Sequence, residues 1–140
     1  SSDPLDATVA DWLLKDGIQR VVVGHKPTGD CPAVLSALYT GVEIVSADTS
    51  FSDTQAADNR GAALGMIEIV GQSSTDNNLE LSGTLQDGSN YFSKHARLHS
   101  NGSCDESVGD PNLGRQIDGG WWIKAAATTG EEYHLTKGNG

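Results

Sequence analysis

Apolar and polar positions follow two different periods along this 140-residue chain. Near the amino terminus, Asp3 and Pro4 are a helix start signal, and Leu5, Val9, Trp12 and Leu13 recur at helical spacing until Gly17 ends the pattern. Ile18 to Val23 then reads as a short β-branched strand that runs into Gly24-His25. Pro32 opens a second predicted helix through Tyr39, with Val34, Leu35 and Leu38 on its buried side, before Gly41 breaks it. Val42 to Ala47 is the next strand. The order helix, strand, loop, helix, strand predicts an α/β unit with parallel strands, in which ligands gather at the carboxyl ends of the strands.

Phe51 to Gly61 is polar and irregular, and Ala62 to Val70 resumes as a strand with Leu64, either Met66 or Ile67, and Ile69 available for burial. After a polar connector from Gly71 to Asn78 the period shortens to two. Leu79, Leu81 and Leu85 alternate with polar residues, Asp87-Gly88 is a hairpin turn signal, and Tyr91-Phe92 begins a return strand. Turn formers concentrate from Ser93 to Ile117, which predicts a long surface loop. Trp121 to Ala127 and Glu132 to Thr136 read as a further strand pair around Thr129-Gly130. The expected fold class is therefore α/β over residues 1–70, followed by a small antiparallel β region over residues 71–140.

Charge narrows the partners. A net charge of −10 makes nucleic acid and anionic lipid poor ligands, because both repel an acidic surface. Cys31 and Cys104 match neither zinc-knuckle nor redox-pair spacing, so two inert thiols are expected, with a disulfide as the alternative in an oxidising compartment. No apolar run is long enough for a transmembrane segment. A start at Ser1-Ser2 reads as a processed or truncated product, as removal of an organellar targeting segment would leave.

The best candidate for chemistry is His25. A strand that stops at Gly24-His25 presents one imidazole at the end of a sheet, and a neutral imidazole suits Zn, Mn or Fe, although a lone histidine after a strand is often structural. Lys26 and Thr28 flank it, and Lys26 is either a phosphate contact or a solvated charge. Arg60 could hold a phosphate bidentately or close a loop salt bridge. Asp30 either orients His25 through its other ring nitrogen or caps the helix predicted near Pro32. His95, His99 and His134 lie among charged or turn residues and are expected to be exposed. Trp121-Trp122 should place one ring in the core and one outside, the outer indole being a contact for a protein partner.

The run Val21-Val22-Val23-Gly24-His25-Lys26-Pro27, followed by a strand that ends in Asp48-Thr49, resembles the last sequence block of the calcineurin-like metallophosphoesterases. Pro27 stands where nuclease-like branches keep a second histidine, so the likeness is to the phosphoprotein-phosphatase and tetraphosphatase branches. The resemblance implies half of that family's α/β sandwich, with His25 on the second ion of a two-metal site, Gly24 flanking the site, and Asp48 bordering it without ligating. The family's Asp-x-His, Gly-Asp-x-x-Asp and Gly-Asn-His blocks do not occur, and the nearest string, Gly109-Asp110-Pro111-Asn112, lacks the second aspartate and lies downstream. A divalent metal (Mn, Fe or Zn) would therefore need ligands from another segment. The function expected is that of a non-catalytic accessory or structural subunit with a protein partner, a role compatible with peripheral attachment to a membrane complex. The alternative is the carboxy-terminal part of an active two-metal phosphatase that hydrolyses phosphate esters.

Overall fold

The structure, a computed structural model, describes residues 6–25, 28–35, 41–49, 55, 63–73, 76–95, 109–126 and 132–137. Among these, one α-helix and nine strands form a mixed α/β fold of three small sheets. Helix α1 (Ala7–Lys15) starts at Asp6, whose carboxylate accepts the Thr8 N–H at 2.8 Å. It stops where the Asp16 and Gly17 N–H groups bond back to Leu13 and Leu14, with Gly17 at φ 75°. The expected start at Asp3 and Pro4 lies outside the described residues. No described helix is long and apolar enough to cross a membrane.

The central sheet has the order β1 (Arg20–Val23), β3 (Glu43–Ser46), β2 (Ala33–Leu35). Strand β1 runs parallel to β3 as expected, but β2 is antiparallel to it and corrects the helix predicted from Pro32. Three consecutive apolar residues, Ala33-Val34-Leu35, suit either period, and pairing with β3 decides between them. Positions 36–40 of that predicted helix lie outside the described residues. The register sets Val34 and Val45 on one face and Leu35 and Ile44 on the other. The first face packs against Leu79, Leu81 and Ile67; the second meets Trp122 together with Val21 and Val23. Because both faces are covered, β3 is buried along its whole length, its polar ends Glu43 and Ser46 included.

The outer sheet, β4 (Leu64–Gly71), β5 (Asn77–Thr84) and β6 (Asn90–His95), is antiparallel throughout and crosses the expected division at residues 70 and 71. Its β5–β6 turn is the one Asp87-Gly88 predicted: Asp87 Oδ1 accepts from the Ser89 N–H at 2.9 Å, and Gly88 takes φ 86°. Gly83 (φ 155°) lies so close to β4 that a Cβ would stand 1.9 Å from the Leu64 carbonyl oxygen, so only glycine fits there.

The long loop expected over residues 93–117 is shorter than that at both ends. Ser93 to His95 complete β6, the Asp110 N–H bonds to the Lys94 carbonyl, and Gln116–Ile117 form β7; residues 96–108 lie outside the described set. Strand β7 pairs with β8 (Trp121–Ala126), which pairs in turn with β9 (Tyr133–Lys137) across an irregularity between Ile123 and Ala125. Strand β8 carries the two adjacent indoles to opposite faces as expected, with Trp121 40% exposed and Trp122 2%. Trp122 is therefore the core ring of the pair, and Trp121 the one that faces outward. The predicted Thr129-Gly130 turn is outside the described residues.

Candidate functional site

His25 lies exposed just past the carboxyl end of β1, the position where a parallel strand pair gathers ligands. The turn is made by the histidine itself, which adopts φ 69°, whereas the preceding Gly24 keeps a negative φ. A non-glycine residue in this left-handed region costs about 1–2 kcal/mol, a cost that asparagine, aspartate and histidine bear most readily. Asp48 is half-buried beyond the end of β3, and its carbonyl accepts the Thr28 N–H at 3.3 Å, while the Ala47 N–H reaches the Val23 carbonyl at 3.3 Å. The loops after β1 and β3 are thus tied together by backbone hydrogen bonds. Lys26, Pro27, Arg60 and Cys104 lie outside the described residues. Among the described residues, no three His, Cys, Asp or Glu side chains converge in a way that could hold a metal ion.

The loop that follows is pinned from below by a residue the sequence did not single out. Lys124 on β8 is 2% exposed, and its Nζ donates to the carbonyls of Thr28 at 2.7 Å and Cys31 at 3.5 Å. Gly29 (φ 110°) lets the backbone close over the ammonium, since a Cβ there would stand 2.6 Å from Nζ. Burial pushes the neighbouring Cys31 thiol above its ordinary value, with Lys124 acting against that rise, so the thiol is a poor nucleophile. Lys124→Met keeps the stem and deletes the donor, leaving the buried Thr28 carbonyl short of a partner at a cost of about 1–3 kcal/mol. Hydrogen exchange checks this: the Thr28 amide should exchange faster in the variant, and an unchanged rate would mean that Lys124 does not hold this loop.

A second buried polar cluster joins the central and outer sheets. The register places Arg20 opposite Glu43, and Arg20 Nε donates to Glu43 Oε2 at 3.0 Å while its Nη1 donates to Asn77 Oδ1 on β5. From the other side His95 Nε2 lies 2.8 Å from Glu43 Oε1. A carboxylate only accepts, so Nε2 carries the proton of that bond. Burial alone would raise the Glu43 pKa. The hydrogen bond and charge of His95, followed by those of Arg20, outweigh burial and hold the carboxyl below its ordinary value.

His95 is 0% exposed, which corrects the expectation that it would be exposed. The missed signal is the period of β6: Tyr91, Ser93 and His95 all point inward, so the alternation that begins at Tyr91 continues to the strand's end. His134 is half-buried on β9, and His99 lies outside the described residues. The separation of 52 positions between Glu43 and His95 left no local trace of their contact.

On the far side of the outer sheet, β4 presents Leu64, Met66 and Val70 to solvent, and Phe92 on β6 is 56% exposed. The register aligns Met66, Ser82 and Phe92 in one row across the sheet. Among the described residues no strand pairs with the other side of β4. No protein-family model matches the chain, and no curated protein or solved structure matches it.

Proposed function

We propose that this chain is a non-catalytic accessory or structural subunit, derived from a metallophosphoesterase-like scaffold, that works by docking another protein. The observation supporting this reading is β4, an eight-residue strand at a sheet edge among the described residues, with Leu64, Met66, Ile69 and Val70 exposed. A long, apolar edge offers a row of backbone donors and acceptors that invites pairing with another chain unless something covers it. Trp121 adds a second exposed apolar contact.

A photoreactive benzoylphenylalanine in place of Met66 should crosslink to a protein of one discrete mass in the cells that make the chain. The same probe in place of Asp87, at the tip of the β5–β6 turn, should not. Equal labelling from both positions would defeat the docking reading.

The exposed, left-handed His25 at the strand rim favours one second reading, the carboxy-terminal part of an active two-metal phosphatase. Its ions, Mn, Fe or Zn, would take His25 together with ligands from another segment, and Gly24, Lys26, Asp48 and Arg60 would flank the phosphate. Hydrolysis of a chromogenic phosphomonoester with Mn²⁺, lost in His25→Ala and retained in Lys94→Ala, would establish that reading over the first.

A further inference from the structure

The outer face of β4 carries a charge pattern as well as an apolar one. Leu64, Met66, Glu68 and Val70 share that face and stand opposite Thr84, Ser82, Glu80 and Asn78 of β5. Glu68 therefore lies directly across from Glu80, a like-charge pairing that destabilises a sheet. Lys94 on β6, opposite Glu80, reaches its Oε1 at 3.0 Å and compensates that carboxylate from the far side. Glu68 is exposed and, among the described residues, has no cation within salt-bridge distance. The open position across the edge from Glu68 is where a cation would do for Glu68 what Lys94 does for Glu80.

Resting on the docking role proposed above, we infer that the partner adds an extended strand to β4 and sets a Lys or Arg opposite Glu68, with apolar residues two positions away on either side. Those two flanking residues meet Met66 and Val70, because side chains on one face of a sheet recur every second residue. The backbone of the added strand satisfies the open edge, and the apolar–cation–apolar spacing supplies specificity. A second copy of the chain fits less well. Antiparallel pairing of β4 with itself about Ile67 would bring no cation to either Glu68, and each chain carries a net charge of −10.

The test uses the whole chain and two labelled peptides, Thr-Val-Thr-Lys-Thr-Val-Thr and the same peptide with Glu in place of Lys, with binding read by fluorescence polarisation. The Lys peptide should bind about fivefold more tightly than the Glu peptide, the scale of exchanging an attractive for a repulsive cross-strand pair. Glu68→Lys should reverse that preference and Glu68→Gln should abolish it, each with an unchanged circular dichroism spectrum. A preference that survives both substitutions, or no binding of either peptide, overturns the inference. A concentration-dependent dimer that Met66→Lys dissolves overturns it as well, in favour of self-pairing. Because crosslinking from Met66 reports docking of any partner, a failed peptide test with a surviving crosslink removes the cationic strand and leaves the docking role standing.

Discussion

Glu43→Ala should lower the stability of this protein by about 3–5 kcal/mol, measured as a fall in the urea midpoint, because it leaves a buried guanidinium and a buried imidazole without their shared acceptor. The Arg20 side chain is only 12% exposed, His95 is fully enclosed, and neither can turn to water for compensation. Glu43→Gln should fall in between, since its amide retains one acceptor oxygen but no charge. Replacing Arg20, Glu43 and His95 together by leucine should cost less than Glu43→Ala alone, because it removes the uncompensated charges with the pair. A loss below about 1 kcal/mol for Glu43→Ala would show that the cluster contributes no more than an exposed ion pair.

The same carboxylate predicts an acid limb. Its folded pKa lies below the ordinary glutamate value of 4.5, so its contribution to stability is complete above that value and is lost as pH falls through the folded pKa. The wild-type midpoint should therefore drop on acidification below pH 4.5 more steeply than that of Glu43→Gln. Parallel pH profiles would contradict this assignment.

Trp122→Ala should cost about 3–5 kcal/mol, the range for deleting a large buried ring that its neighbours cannot replace. The indole packs against Leu35 and Ile44, with Val21 and Val23 around it, and so joins β8 to the second face of the central sheet. Its Nε1 is buried without a hydrogen-bond acceptor among the described residues. Trp122→Phe deletes that donor with part of the volume, and should cost much less than the alanine variant. Trp121→Ala, on the opposite face of the same strand, should change stability by no more than about 0.5 kcal/mol. Chemical denaturation of the three variants checks the order, and equal costs at the two tryptophans would refute the inside–outside assignment.

Several parts of this architecture are legible along the chain because their causes are local. Gly17 ends a helix at φ 75°, Asp87-Gly88 turns the chain through the Ser89 amide, and period-two burial marks β5 and β6. The rim position of His25 also follows from a β-branched strand running into Gly24-His25, and the structure leaves that imidazole exposed. The buried half of the polar chemistry is not legible in this way. His95 carries the same residue type as His25, and only continuation of β6 by one more inward position takes it to Glu43.

Short-range hydrogen bonding and side-chain period are enough to specify α1, the β5–β6 hairpin and the end of β1, since each depends on residues within one turn or one strand. Tertiary packing made the other choices. Ala33–Leu35 is a strand because β3 offers an edge and two sheets enclose both of its faces. Lys124 can remain under the Thr28–Cys31 loop because carbonyls 93 and 96 positions away in the chain converge on its ammonium. Contacts between segments so far apart depend on how sheets stack, and no pattern within a single segment encodes that.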